Sequence, residues 1–418
     1  MNGDLGGQRI AILGGGIIGL FSAHYLLRQG AEVVIVERKK LGSGAARGNG
    51  GLIVWTECTP LAGPGVVGPM LRNLFSSTGP LVLKPSALMH YARFFLGFAR
   101  HCSADAFRMG LARLDYLSVR TQRLFRELKE DGIALGVSEA GILRVFRSRD
   151  AANENRVQFE LLASRALGPR PAPMMGGSEL HAFEPALGSG AQWGFVQSGE
   201  AFADPSLVVD ELIASLFARG VEVRENAVAV DVSEDRNGVR VLSNGGEVRA
   251  DKCLIAMGAW SPEIAVKLGL RLILAPGKGY SFSVKPALVP KRAMAFADSH
   301  TGATPLGDGR LRVAGTMEFD GTYEKFNLNR IGAIKAAAAP YLASVDWTQS
   351  FEEWVAPRPM TPDGAPYIGK IPGRSATFVA TGHNMLGFSL GPATGEVVAE
   401  MMSGVADPDL LEAFSPTR

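Results

Sequence analysis

The chain opens with a strand–turn–helix–strand unit, and this unit constrains the fold more than anything after it. Arg9 to Leu13 reads Arg-Ile-Ala-Ile-Leu and runs into Gly-Gly-Gly-Ile-Ile-Gly; a polar–apolar stretch to Gln29-Gly30 leads to Ala-Glu-Val-Val-Ile-Val-Glu, ending at Glu37. Gly14, Gly16 and Gly19 form the G-x-G-x-x-G pattern. Gly14 allows the tight turn, Gly16 lets a pyrophosphate approach the backbone, and Gly19 lets the helix lie close to the strand. The free N–H groups at the helix start, around Ile17 and Ile18, then face the phosphates. Glu37 stands where a carboxylate accepts from ribose hydroxyls, with Arg38 beside it. The pattern predicts dinucleotide binding; the competing reading is a glycine-rich turn in an ordinary α/β core.

A chain of 418 residues, 46% of them apolar, allows two or three domains, or one large α/β unit with a second domain inserted. The formal net charge of +2 gives no electrostatic case for a nucleic-acid partner. Three distant cysteines, Cys58, Cys102 and Cys253, form neither a disulfide framework nor a metal spacing, which points to a reducing, cytoplasmic setting. The six histidines show no H-x-x-x-H spacing, so no metal is expected. No run reaches the roughly 18 apolar residues of a membrane span.

Residues 1–8 read as a flexible tail. A loop of small residues covers 41–52, and residues 85–129 are helical. Within that helical stretch Leu88, Tyr91, Phe95, Phe98 and Cys102 form one apolar face, either packed on the core or presented to a membrane or partner. Residues 142–146 read as a strand, and 153–167, 178–187 and 205–220 as helices, the last capped by Asp204. Residues 221–224, 227–232, 239–242 and 247–250 read as a small antiparallel sheet. A buried strand from 253 ends in the turn at Gly258, Trp260 and Ser261. Strands and a helix at 328–342 follow, then a strand at 377–380, a glycine-rich loop at 381–392 and a helix at 393–403. Dinucleotide-type features thus occur at the beginning, near 250–261, and at the end. One nucleotide domain built from residues 1–85, 195–265 and 351–418, with a substrate domain from 86–194 and 266–350, accounts for that separation.

Further motifs carry a resemblance over nearly the whole chain. They are Ser43-Gly-Ala-Ala-Arg-Gly-Asn-Gly-Gly-Leu52, Pro276-Gly-Lys-Gly-Tyr-Ser281, Gly315-Thr-Met-Glu318, Arg358-Pro-Met-Thr-Pro-Asp-Gly-Ala-Pro-Tyr-Ile-Gly369, and Gly382-His-Asn followed by Gly391-Pro-Ala-Thr-Gly395. With the opening unit they resemble the D-amino acid oxidase superfamily of flavoproteins, particularly its bacterial D-amino acid dehydrogenases. The resemblance implies an α/β fold: a Rossmann-like domain binding FAD and not NAD, and an α+β substrate domain whose antiparallel sheet roofs the flavin.

By the same resemblance the loop with Ser43, Ala46, Asn49, Gly51 and Leu52 touches flavin and pyrophosphate, and Arg47 and Asn49 can donate there. Val230 receives the adenine side, and Gly258 and Trp260 border the cofactor. Backbone N–H groups at Gly387, Phe388, Ser389 and Leu390 face the flavin edge where negative charge develops on reduction. Arg358 forks onto a substrate carboxylate. Tyr280 is a second donor to that carboxylate, a pocket wall or a core residue, and His383 and Met385 shape the flavin's front face. Cys58 is inert, so FAD is held noncovalently. The implied reaction is oxidative deamination of small D-amino acids by hydride transfer from Cα to flavin N5, with electrons passed to a quinone or a partner subunit. The alternatives are oxidation of secondary amines such as sarcosine or D-proline, oxygen as acceptor, and a flavin-carrying subunit of a hetero-oligomer. Peripheral contact with the inner face of the cell membrane is a further expectation, through residues 85–102.

Overall fold

A computed structural model describes residues 4–56, 58–72, 79–164 and 168–418. The opening unit forms as its spacing predicts: strand Arg9–Leu13, helix Ile17–Arg28 and strand Glu32–Val36. The strands pair in parallel, Ile10 opposite Val33 and Leu13 opposite Val36, and nearly every side chain is buried, as expected for a parallel sheet covered on both faces. A Cβ at Gly19 would lie 2.0 Å from the Gly14 carbonyl oxygen, so only glycine lets the helix sit this close to the turn.

Distant segments complete the sheet. Its order is Tyr367–Lys370, Thr377–Thr381, Lys252–Ile255, Arg9–Leu13, Glu32–Val36 and Glu222–Arg224. All neighbours are parallel except the first pair. Glu222–Arg224, expected in the small antiparallel sheet, is instead the edge strand here, with Val34 opposite Glu222. The antiparallel sheet consists of Ala229–Asp235, Gly238–Ser243 and Gly246–Ala250.

A second sheet of nine strands among the described residues forms the other layer. It runs Phe351–Met360, Ala275–Val284, Leu311–Phe319, Thr301–Pro305, Met294–Phe296, Ile142–Phe146, Trp193–Gln197 and Met175–Gly176, with Leu81–Leu83 beside Leu311–Phe319. It is antiparallel except at two joins, Met294–Phe296 with Ile142–Phe146 and Leu311–Phe319 with Leu81–Leu83. The expected domain limits shift accordingly. Residues 351–360, 195–197 and 81–83 were grouped with the nucleotide domain and belong to this sheet. Helix Ala104–Glu130, grouped with the substrate domain, buries Leu114, Leu117, Leu124 and Leu128 in the nucleotide-side core.

The helical stretch from 85 divides into Pro85–His90, Ala92–His101 and Ala104–Glu130, the last capped by the Ser103 hydroxyl at the Ala106 N–H. Its apolar face packs on the core: Leu88, Tyr91, Phe95, Phe98 and Cys102 lie against Met317, Phe319 and Met360. Helix Arg149–Ser164 begins earlier than expected, and the last part of that expectation, 165–167, lies outside the described residues. Asp204 caps Pro205–Ala218 as anticipated, accepting from the Ser206 N–H at 2.8 Å. The tail expectation fails for residues 4–8: Leu5 is fully buried and its N–H donates to the Gln29 carbonyl. Residues 1–3 are outside the described set.

The last long helix is Gly387–Ser403, starting six residues before the expected 393. Its glycines serve packing. A Cβ at Gly391 would meet the Phe21 ring at 2.5 Å, and one at Gly395 the Phe21 carbonyl oxygen at 2.6 Å. The helix therefore lies flush on Ile17–Arg28. No helix among the described residues is long and apolar enough to cross a membrane.

The Gly19 contact generates a prediction. Gly19→Ala forces the helix off the strand and costs about 1–3 kcal/mol of stability, the usual scale for overpacking. Denaturant unfolding of the apoprotein measures this, and an unchanged midpoint would contradict the packing account.

Candidate active site

Between the two large sheets lies a cleft of about 700 Å3, a size usual for small-molecule and cofactor sites. From the parallel sheet come Gly14, Gly16, Ile17, Ile18, Glu37, Arg38, Gly258 and Trp260. The small-residue loop adds Ser43, Ala46, Gly48 and Asn49. The large sheet contributes Gly279, Tyr280, Ala314, Trp354 and Arg358, and the C-terminal segment His383, Met385, Gly387 and Phe388. Most residues singled out in the sequence thus converge on one wall-to-wall site.

Two helices point their N-termini into it. Ile17–Arg28 begins at Gly16 and Gly387–Ser403 at Leu386, and neither has a side-chain cap. Their free N–H groups and positive dipole ends therefore lack a protein partner and suit anionic or electron-rich groups. The Glu37 carboxylate is held by the Gly15 N–H at 2.7 Å and the Lys39 N–H at 2.8 Å, which fixes its place in the cleft. The Arg38 guanidinium lies 3.7 Å from the Trp260 ring centroid, within cation–π range.

Arg358 faces the cleft from strand Phe351–Met360. Direct strand partners share a sheet face, so Trp354, Ala356 and Arg358 lie on the face of Ser281, Gly279 and Gly277. That row is stripped of bulk beneath the arginine: a Cβ at Gly279 would lie 2.2 Å from an Arg358 terminal nitrogen. One guanidinium N–H donates to the Thr316 carbonyl at 2.9 Å. Thr316 sits in a bulge between Lys278 and Tyr280 pairings, with φ of 61°, which turns this carbonyl toward the guanidinium. Among the described residues no carboxylate pairs with Arg358. Burial without a counter-charge pushes its pKa down to about 10, leaving a cation at neutral pH.

Tyr280 is one residue out of phase with that row and points away from Arg358. The cleft reaches it, but its hydroxyl donates to the Glu318 carboxylate behind the sheet, so it is no second carboxylate donor. Glu318 also receives Asn327 at 3.0 Å and the fully buried Lys278 ammonium at 3.1 Å. Burial opposes ionisation of Glu318, yet the Tyr280, Asn327 and Lys278 contacts hold its carboxyl below the usual range. His383 is buried at the cleft wall and bonded to the Thr394 hydroxyl at 2.9 Å; burial pushes its pKa down to about 3, so it is neutral. Met385 is half exposed at the rim.

Other expected contacts fall elsewhere. Arg47 turns from the cleft to Asp210, with 2.5 Å between nitrogen and oxygen. Val230 lies outside the cleft beside a bulge, its carbonyl accepting from Lys267, while Ala227, Val228 and Ala229 line the wall. Gly51 and Leu52 lead into a short pairing with Phe202 and do not border the cleft. The Leu390 N–H is spent on the Leu386 carbonyl at 2.8 Å, and the Ser389 side chain turns to the core, its hydroxyl accepting from the Val54 N–H. Gly19 acts through packing alone. Cys58 lies in the core and donates to the Val54 carbonyl. No cluster among the described residues could hold a metal ion.

Some wall residues carried no assignment in the sequence. Gly279 was readable from Gly-Lys-Gly-Tyr, and Trp354 from its place before Arg358. The Trp354 indole N–H is buried without a partner among the described residues, and its ring fits only because Gly48 lacks a Cβ. Asn384, with φ of 52°, is a buried pin: its side chain bonds Thr361, Gly364 and Gly382. Glu324 and Phe326 reach the cleft from a loop with no sequence signal.

A family model for FAD dependent oxidoreductases, DAO, matches residues 9–401. The chain belongs to the DAO family. It is 31% identical over 406 residues to a D-amino acid dehydrogenase of Xylella fastidiosa (strain 9a5c), covering 94% of this chain and 92% of that one. Its fold matches glycine oxidase from Geobacillus kaustophilus with a TM-score of 0.76 at 22% identity, over 98% of this chain and 99% of that one. Iminodiacetate oxidase from Chelativorans sp. BNC1 gives 0.73 at 20% identity, over 98% and 99%.

FAD is the cofactor of this family, and the cleft fits it. Two uncapped helix starts, an acid after the second strand, a floor of glycines and the Trp354 ring all line the space between the sheets. When bound, FAD supplies the two-electron acceptor that protein side chains lack. Gly14, Gly16 and the N–H groups at Ile17 and Ile18 would hold its pyrophosphate, Glu37 its ribose, and the Gly387 helix start its electron-accepting ring. Glu37→Ala is expected to weaken FAD binding by about 1–3 kcal/mol, the scale for losing a charged hydrogen bond. Titration of apoprotein with FAD measures it; unchanged affinity would remove Glu37 from the ribose.

Proposed function

We propose that this chain oxidises small D-amino acids at the Cα–N bond, yielding an imino acid that water converts to a 2-oxo acid and ammonia. The observation that carries this reading is Arg358, a cation facing the cofactor cleft with no carboxylate of its own. A planar guanidinium with glycine beneath it suits an α-carboxylate in bidentate contact. Arg358 would anchor that carboxylate and aim Cα at the electron acceptor, which is catalysis by positioning. His383 is neutral and buried, and among the described residues no Asp or Glu pairs with Arg358, so no base is evident next to the proposed carboxylate anchor. That agrees with chemistry in which the substrate amine loses its own proton before oxidation. The 31% identity to a named D-amino acid dehydrogenase supports a D-amino acid substrate and an acceptor other than oxygen.

Anaerobic stopped-flow reduction of the bound flavin tests the assignment. Arg358→Met is expected to lower the second-order rate with a D-amino acid by roughly 30- to 1000-fold, the equivalent of about 2–4 kcal/mol for one charge-assisted contact. Arg358→Lys keeps the charge but loses the fork and falls short of the parent. FAD content stays normal, and amines without a carboxylate lose little. Reduction of Arg358→Met at the parental rate would place the clamp elsewhere. Secondary amines such as sarcosine and D-proline in the same assay separate the two amine classes.

For the acceptor, we infer a quinone reached at a bilayer surface. Residues 79–103 contain no Asp or Glu, carry Lys84, Arg93 and Arg100, and expose Met89 and Leu96. A cationic surface with protruding apolar side chains suits anionic headgroups. The protein is expected to sediment with anionic vesicles and not with neutral ones, and Met89→Glu with Leu96→Glu to abolish this. Absence of vesicle binding would remove the membrane step and leave the amine chemistry standing.

A further inference from the structure

Residues 320–327 leave the large sheet after Phe319 and cross to the nucleotide side of the cleft. Their root is buried. Asp320 accepts from the Lys278 ammonium at 2.8 Å, and the same ammonium donates to the Lys325 carbonyl at 2.8 Å and the Thr322 hydroxyl at 3.2 Å. Asn327 reaches back to Glu318. Their tip lies on the other domain. The Tyr323 ring stacks on Trp260, with centroids 5.1 Å apart, and Glu324 bonds Arg38 at 2.5 Å and Lys39 at 2.8 Å. Glu324 and Phe326 line the cleft together with Glu37, Arg38 and Trp260.

We propose that residues 320–327 form a strap over the Glu37 end of the cleft, that Glu324 is its latch, and that FAD enters and leaves only when Glu324 releases Arg38 and Lys39. The two ends differ in kind. Separating the buried charges at the root would strand Glu318, Asp320 or Lys278 without a partner, which is costly. The pairs at the tip are partly exposed, worth little individually and screened by salt. The strap therefore opens at its tip and pivots on its root. Trp260 and Arg38 act in two capacities, as a wall of the cleft and as the surface on which the strap rests. Glu324 is a positioning residue for cofactor retention. This inference rests on FAD as the cofactor and is independent of which substrate Arg358 takes.

Release of FAD from the holoenzyme, followed by the rise in flavin fluorescence after dilution at low and high KCl, tests the latch. The parent is expected to release FAD faster at high salt. Glu324→Gln is expected to release it about 3- to 30-fold faster than the parent at low salt, the range for two surface ion pairs, and to lose most of the salt dependence. Glu324 is exposed, and circular dichroism checks that the variant is folded. A second variant, Glu324→Lys, repels Arg38 and Lys39: it is expected to release FAD fastest at low salt and to be slowed, not hastened, by KCl. Parental release from Glu324→Gln at both salt concentrations, or release from Glu324→Lys that salt still speeds, overturns the proposal.

Discussion

The close contact between helices Ile17–Arg28 and Gly387–Ser403 is the constraint on which the site depends. Gly391 and Gly395 make it by lying against Phe21, while Gly19 seats the first helix on the turn at Gly14. Because both helices lie flush, their uncapped N-termini open onto the same cleft from chain segments more than 350 residues apart. Neither terminus alone defines a site, since a helix start in water satisfies its N–H groups with solvent. Brought together beneath the second sheet, they form an electropositive trough, and the buried acid at Glu37 marks one end of it.

Strand parity decides what the second sheet adds. Trp354, Ala356 and Arg358 alternate toward the cleft, opposite a row of small residues, while Lys278 and Tyr280 alternate away. The guanidinium therefore has room and no competitor, and the charged cluster behind the sheet fastens the backbone that carries it. A slip of strand Phe351–Met360 by one residue would turn the arginine to the face away from the cleft. The Thr316 bulge belongs to the same arrangement, since an unbroken ladder would aim its carbonyl at a neighbouring strand.

Much of this was legible in the sequence, and the gaps have physical causes. The first strand–turn–helix–strand unit is local, so periodicity and glycine spacing placed it. Arg358, His383 and the small-residue loop were found from motifs whose side chains do reach the cleft. Tyr280 lines the cleft and is buried, and only its role as a carboxylate donor failed, because face depends on pairing register, which a single strand does not encode. Arg47 failed because Asp210, a distant residue, offers a nearer anion. Leu390 failed because its N–H is already bonded to the Leu386 carbonyl, and the helix start was placed late because glycine and proline read as loop where close packing overrides their low helix propensity. Glu222–Arg224 looked like its antiparallel neighbours and was captured by a parallel partner. Glu324 had no local signal at all, since its meaning comes only from what lies across the cleft.

Strand Phe351–Met360 ends two residues past Arg358, and the Pro359 carbonyl accepts from the Asn384 N–H, three residues before the Gly387 helix start. Asn384 then returns to Thr361 through its side chain. On the reading proposed above, the residue that anchors a carboxylate and the helix start that faces the flavin ring are therefore linked through two hydrogen bonds at Asn384. Neither can drift relative to the other when the two sheets breathe. Handedness at a tetrahedral carbon is judged by which substituent falls toward a fixed plane once another is pinned. A hydrogen-bonded stitch this short would make that judgement a matter of local geometry, little affected by the looser motions of the surrounding loops.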